Sequence, residues 1–176
     1  KPLRIQFPRM YMPFGISGFT PEVGATKWSL DFAMKGYDED GNYVKKFHET
    51  MREFEQKIIE AVEQQSEDIF KRKVSKEELE GMFFSNIKES PDREPKFRVK
   101  VDVNMEGKIK PYVYDEQKNP IGNVECKDGL YSRNSGTAIV EINSVYFLNK
   151  KFGITYKLYQ LVKYEPQALK GFQFIV

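Results

Sequence analysis

The chain has 176 residues, of which 40% are hydrophobic, 14% aromatic and 31% charged, enough to bury one sizeable core and to argue for a single domain over residues 1–176. No run approaches the roughly 18 to 20 apolar residues that cross a bilayer, and Lys1-Pro2-Leu3-Arg4 lacks the apolar stretch of a signal peptide, so a soluble, intracellular chain without membrane contact is expected. A single cysteine, Cys126, excludes an internal disulfide, and the single histidine, His48, is too distant in sequence for a Cys/His zinc site.

The charge is segregated. Residues 1–36 hold five Lys/Arg against two Asp/Glu, residues 37–95 ten against sixteen, and residues 96–176 thirteen against eight. The formal net charge of +2 thus conceals a basic, aromatic, β-rich body and an acidic central block. Positive side chains interleaved with tyrosines suit a polyanion that carries stackable bases. The chain begins without methionine and is read as a fragment of a longer one.

Residues 3–14 read as a strand broken or bent at Pro8 and Pro13. Over 26–36, Trp28, Leu30, Phe32 and Met34 alternate with Lys27, Ser29, Asp31, Ala33 and Lys35, the pattern of a half-buried strand with Trp28 in the core. The period changes at Val44. Apolar residues at three- and four-residue steps through Phe47, Met51, Phe54, Ile58, Val62 and Ile69 predict one long helix, and Ser75 with Glu78 forms a capping box for a second. The helical segment therefore covers about 44–84, and Glu89 to Pro95 ends it.

Strand periodicity returns at Lys96. Phe97, Val99, Val101 and Val103 alternate with Arg98, Lys100 and Asp102, Asn104 to Gly107 can turn the chain, and Lys108 to Tyr114 can return as a partner. Lys110, Tyr112 and Tyr114 would then face outward beside Arg98 and Lys100, with Pro111 at an edge or bulge. A short strand is expected at 121–125. Two long ones follow at Thr137–Asn149 and Phe152–Tyr164, joined by a tight turn; in the last, Ile154, Tyr156, Leu158 and Val162 point inward and Thr155, Lys157, Tyr159 and Lys163 outward. The loop Lys127–Gly136 either closes Tyr131 and Arg133 over a bound strand or is a solvated connection with Tyr131 tucked beneath it.

Other chemistries find little support. Asp38 to Asn42 with Glu49 imitates a calcium loop, but Tyr43 stands where that loop needs glycine, so an ordinary turn into a helix is expected. His48 lies in the predicted helix with no nucleophile motif nearby, and no phosphate-cradling glycine loop, Gly-x-Ser-x-Gly or zinc-deaminase signature occurs. The chain is read as a non-enzyme that needs no cofactor or metal.

Basic, aromatic strands with an inserted helix give a mainly β (α+β) architecture, an OB-fold-like antiparallel barrel. Within it, Asn143-Ser144-Val145-Tyr146-Phe147-Leu148-Asn149-Lys150-Lys151-Phe152-Gly153-Ile154-Thr155-Tyr156-Lys157-Leu158-Tyr159-Gln160-Leu161-Val162 resembles the last hairpin of OB-fold single-stranded-DNA-binding proteins of large nucleocytoplasmic DNA viruses and their tailed-bacteriophage relatives. Phe152-Gly153-Ile154 is similar to the step that opens the family's final strand, and Leu169 to Phe174 is similar to the ending of the viral branch. Two features depart from that family. The helix follows the second predicted strand rather than the third, so a strand has been missed near 15–25 or the helix is an insertion. The acidic tail of the phage relatives has no counterpart in Phe172 to Val176.

The resemblance implies sequence-tolerant single-stranded DNA binding in viral or phage replication, recombination and repair, located at sites of viral DNA replication. It implies a polymerase or helicase as partner and is compatible with homo-oligomerisation. Lys27, Lys35, Arg98, Lys100, Lys108, Lys110, Arg133, Lys157 and Lys163 are the candidate phosphate contacts, and Tyr112, Tyr114, Tyr131 and Tyr159 the candidate stacking residues. Two alternatives stand beside this reading: single-stranded RNA as ligand, and a protein-interaction module that uses the acidic helical block.

Overall fold

A computed structural model describes residues 3–122 and 124–166. The strands are β1 (Leu3–Gln6), β2 (Met10–Met12), β3 (Ile16–Phe19), β4 (Lys27–Ala33), β5 (Phe83–Phe84), β6 (Ile87–Ser90), β7 (Arg93–Val101), β8 (Tyr112–Tyr114), β9 (Pro120–Ile121), β10 (Asn134–Leu148) and β11 (Lys151–Tyr164). The helices α1 (Tyr43–Gln64), α2 (Ser66–Phe70) and α3 (Lys76–Met82) lie between β4 and β5.

Hydrogen bonding runs β2 to β4 to β7 to β11 to β10 and back to β2, which closes a five-strand barrel. Every seam is antiparallel except β7 with β11, which is parallel and meets at Lys100 and Lys157. This is the OB-like barrel expected, with one parallel seam and a helical insertion.

The first stave is composite. Moving from Tyr11 to Ile16 along the chain moves the β4 partner only from Ala33 to Leu30, so residues loop out around Pro13 and Gly15 and β3 continues β2. The strand missing near 15–25 is therefore β3. It extends the first stave without adding another, and the helices remain inserted between the second and third staves. Gly18 on β3 makes room for the indole: a Cβ there would lie 2.8 Å from the Trp28 ring. Trp28 packs against the main core, as its apolar neighbours predicted.

Interior packing centres on Phe97. Its ring meets Phe7 at 5.1 Å, Phe47 at 5.7 Å and Tyr156 at 4.9 Å, contributions from the end of β1, α1 and β11. Leu30, Phe32, Val99, Val101, Ile154 and Leu161 complete this sealed interior. A second cluster of Ile59, Val62, Val74, Leu79 and Phe152 fixes the helices to the β10–β11 hairpin.

The helical segment differs from expectation at its centre. The long stripe breaks after Gln64, because Ser66 turns inward and accepts a hydrogen bond from the Val74 amide at 3.1 Å. Asn42 caps α1 through Val44 N–H, which commits one ligand of the calcium-like loop to the helix. Ser75 accepts from the Glu78 amide at 3.2 Å, as the capping box predicted. Residues 87–95 do not merely end the helices: Pro91 and Asp92 form the turn of a β6–β7 hairpin, with proline at the position its fixed φ suits.

Glu55 is buried in the apolar stripe of α1, where its carboxylate accepts from the Ser85 hydroxyl at 2.6 Å. Burial pushes its pKa above the usual carboxylate range, opposed by Ser85 and Arg52. The folded state then holds this proton more tightly than the unfolded chain does, so Glu55's contribution to stability is full below its unfolded pKa and lost as pH rises through the raised value. Urea denaturation over a pH series is expected to show wild type losing stability relative to Glu55→Gln across that window; a difference independent of pH would contradict this.

Candidate nucleic-acid interface

The sealed interior dictates what faces out. Leu30 and Phe32 on β4 and Phe97, Val99 and Val101 on β7 point inward, so the alternate residues Ser29, Asp31, Ala33, Lys96, Arg98 and Lys100 lie on the outer face, where Asp31 and Ala33 are covered by their neighbours. Cross-strand register sorts this exterior into rows. Lys88, Lys96, Ala33 and Tyr11 form one, Arg98 and Asp31 the next, and Lys157, Lys100, Ser29 and Ser17 a third. Phe19 and Lys27 are paired at the far end. Rows two residues apart lie roughly 7 Å apart along the strands.

Acids within this face fix the cations. The Arg98 guanidinium donates to both Asp31 oxygens, at 2.8 and 3.2 Å, and Asp31 keeps Arg98 strongly protonated. Asp102 lies 3.2 Å from the Lys157 ammonium and 3.9 Å from that of Lys100. The Lys88 ammonium is held below the usual lysine range, first by burial and then by the nearby Arg98 charge.

Several outer rings carry a cation. Lys88 lies 3.5 Å over the Phe84 ring, Lys96 5.7 Å over Phe14 and Lys35 5.8 Å over Tyr11. Phe14, Phe19 and Phe84 are all exposed. An anion that draws these ammonium groups away would uncover ring faces beside them. The surface therefore offers charge and stacking area in the same place.

The barrel wall continues past Lys157 to a second aromatic group. Tyr112, 58% exposed, meets Tyr159 edge-on at 5.6 Å, and the Arg4 guanidinium lies 3.8 Å over Tyr159 while donating to Glu141 at 3.0 Å. A β-bulge creates this group. The ladder slips between Leu158 and Gln160, so Leu158 and Leu161 both point inward while Tyr159 and Gln160 lie consecutively outside.

The bulge also bears on two predicted residues. Val162 is buried, as expected, but it sits beneath a groove that it lines with Gln6, Tyr114, Ile139, Gln160 and Tyr164. Lys163, expected outside, has a side chain only 17% exposed and pairs with Glu165 at 3.3 Å near Asp115 and Glu116. Lys163 does not join the basic face.

The remaining candidates divide further. The predicted 96–114 hairpin pairs only at Val103 and Ile109. Beyond it, buried Pro111 redirects the chain and β8 pairs with β11 in parallel, so Tyr112 and Tyr114 lie across β11 from Arg98 and Lys100 rather than next to them. Lys110 is exposed at the start of this excursion, its amide donating to the Asp102 carbonyl. Lys108 sits within it, bridged to Glu125 and 3.9 Å from Glu106, away from the basic rows.

Tyr131 is tucked beneath its loop. Its ring packs on the main core, its hydroxyl is buried without a partner among the described residues, and burial raises its pKa. That geometry corrects the stacking assignment. Arg133 is exposed, on the turn where the Ser132 hydroxyl donates to the Pro13 carbonyl, one residue from Phe14.

Sequence reasoning missed Arg4, Tyr11, Phe14, Phe19, Phe84, Lys88 and Lys96. Lys96 shares the parity of Arg98 and Lys100 and was within reach of the same alternation. The rings of Phe14, Phe19 and Phe84 lie in segments whose sequence reads as a broken strand, a gap and a helix end. Among the described residues, no group of three or more His, Cys, Asp or Glu could hold a metal ion.

No protein-family model matches this sequence, and no curated protein matches it either. In three dimensions the chain is similar to gp2.5, a single-stranded DNA binding protein encoded by bacteriophage T7, with a TM-score of 0.58 at 11% identity over 94% of this chain and 87% of that one. The C-terminally truncated single-stranded DNA-binding protein from bacteriophage Enc34 gives 0.50 at 13% identity over 93% and 87%. At these identities the likeness concerns the fold. The chain has the fold of phage single-stranded-DNA-binding proteins.

Proposed function

We propose that this chain binds single-stranded DNA with little sequence preference, along the outer face of β4 and β7 and onward over Lys157 to Tyr159 and Tyr112. The observation that carries this reading is the set of basic rows, Lys88–Lys96, Arg98 and Lys157–Lys100, flanked by exposed Phe14, Phe19 and Phe84. Phosphates would displace counterions from the lysines, and bases would stack on rings that the departing ammonium groups leave open. Of the phosphate contacts expected from sequence, Lys27, Lys35, Arg98, Lys100, Lys110, Arg133 and Lys157 are retained and Lys88 and Lys96 are added; the stacking set becomes Tyr112, Tyr159, Phe14, Phe19 and Phe84, with Tyr114 in the adjoining groove.

A strand held this way cannot refold, which would keep replication and recombination intermediates open for a polymerase or helicase. The resemblance of Asn143–Val162 to the last hairpin of the viral and phage proteins supports that setting. The protein-interaction alternative calls for an exposed apolar patch over 44–84; Phe84, exposed in that span, lies under the Lys88 ammonium, while Phe47 and Met51 line an apolar groove against β1, and the titration below separates the two readings.

Fluorescence-anisotropy titration of oligo-dT, matched duplex DNA and single-stranded RNA at two salt concentrations tests the reading. Tight, salt-sensitive preference for oligo-dT is expected; preference for RNA would reassign the ligand, and no binding at low salt would overturn the proposal. Phe14→Ala or Phe84→Ala is expected to weaken oligo-dT binding by about 1–3 kcal/mol. Lys96→Ala should lower the salt slope by about 0.7. Tyr131→Phe and Lys163→Ala should leave affinity unchanged.

Asp31→Asn gives the opposite sign. It removes a carboxylate from between the basic rows and releases Arg98, so oligo-dT should bind several-fold tighter, by about 1 kcal/mol, with a steeper salt slope. Unchanged affinity in the same titration would place Arg98 outside the interface.

A further inference from the structure

Between the outer edge of β1 and the first half of α1 runs an apolar groove of about 520 Å³, lined by Ile5, Phe7 and Pro8 on one side and Tyr43, Phe47 and Met51 on the other. Tyr43 is 83% exposed at its mouth. The Phe7 amide donates to the Ala138 carbonyl at 2.8 Å, and Ile5 and Leu3 continue that register opposite Val140 and Ile142. In an antiparallel ladder the intervening residues turn their polar groups the other way, so the amides of Arg4 and Gln6 point to the opposite edge. Among the described residues, β1 pairs with β10 alone. An open strand edge beside an apolar wall suits an extended segment with alternating apolar side chains, which adds as one more strand.

The chain carries such a segment. Ten residues follow Pro166, and in Lys170-Gly171-Phe172-Gln173-Phe174-Ile175-Val176 the residues Phe172, Phe174 and Val176 share one face of an extended chain. Their starting point lies close by. The Arg9 guanidinium, which lines the groove, sits 3.9 Å over the ring of Tyr164, two residues before Pro166. Ten extended residues reach roughly 33 Å, about twice the roughly 17 Å of the Ile5–Arg9 wall. A segment leaving β11 here and entering at Arg9 would run antiparallel to β1.

We propose that residues 167–176 dock in this groove as an added antiparallel strand on β1, with Phe172, Phe174 and Val176 turned to the apolar wall of α1. The assignment is independent of nucleic-acid binding. It predicts that the full chain protects the amides of Arg4 and Gln6 and covers Tyr43.

Hydrogen–deuterium exchange on three proteins tests it: the full chain, a chain ending at Pro166, and the full-length double variant Phe172→Ser/Phe174→Ser, each checked for an intact barrel by circular dichroism. Arg4 and Gln6 amides should exchange about tenfold more slowly in the full chain than in either variant, while β7 amides stay equally protected in all three. Equal exchange of Arg4 and Gln6 in all three proteins overturns the proposal. Protection that disappears on dilution also overturns it, because the docked segment would then come from a second copy.

Discussion

A residue on a closed barrel has two destinations, and Phe97 settles which one its neighbours take. Its ring is held by Phe7, Phe47 and Tyr156 from three different parts of the chain, so it cannot leave the interior without opening all of them. Truncating such a side chain to alanine costs about 3–5 kcal/mol, whereas a one-residue slip of β7 would expel Phe97, Val99 and Val101 together. Lys96, Arg98 and Lys100 are therefore outside by necessity. The basic face is the complement of the core, built by the same alternation that builds the interior.

Crowding that many cations on one sheet face has an electrostatic cost, and the acids among them limit it. Asp31 and Asp102 each bind cations whose neighbours are also positive, which keeps the guanidinium and ammonium groups in fixed positions rather than splayed into solvent. The rings serve a related purpose. Phe84, Phe14 and Tyr11 hold Lys88, Lys96 and Lys35 against the sheet by cation–π attraction, which is weak enough at exposed sites, about 0.5–1 kcal/mol, to be exchanged for a phosphate. The second half of α1 and the shorter helices pack on the β10–β11 hairpin, while the first half of α1 packs into the main core.

What could be read from the sequence was what local periodicity encodes. The β10–β11 hairpin, the alternation of β4 and β7, the cap at Ser75 and the packing of Trp28 against the core all follow from spacing within a dozen residues. The losses came where non-local geometry intervenes. Nothing in Leu158-Tyr159-Gln160 announces the bulge that puts two consecutive residues outside and turns Lys163 toward Glu165, because a bulge depends on the partner strand. The β6–β7 hairpin was hidden by treating Pro91 as an end when it was a turn. Tyr112 and Tyr114 were placed beside the wrong strand because a β7–β8 hairpin is the cheapest local pairing, while the observed partner, β11, lies nearly fifty residues away. Of the site itself, the cations on regular strands were legible. The rings that flank them sit on short or irregular pieces with no period to detect.

The insertion of the helices between the second and third staves has a consequence for how the protein is made. The β4–β7 seam joins residues more than sixty and up to about seventy positions apart, the first stave is closed by β10 more than a hundred positions later, and Lys157 reaches Lys100 only through β11. A chain emerging from the ribosome can form α1 early, but its basic strands remain separate ribbons until β11 has appeared and the circuit can shut. Until then the newborn chain holds its cations on unconnected segments, with the acidic helix α1 complete before the basic rows are aligned. The order of synthesis thus postpones assembly of the basic face until β11 has been made, because Lys100 and Lys157 become neighbours only across that seam.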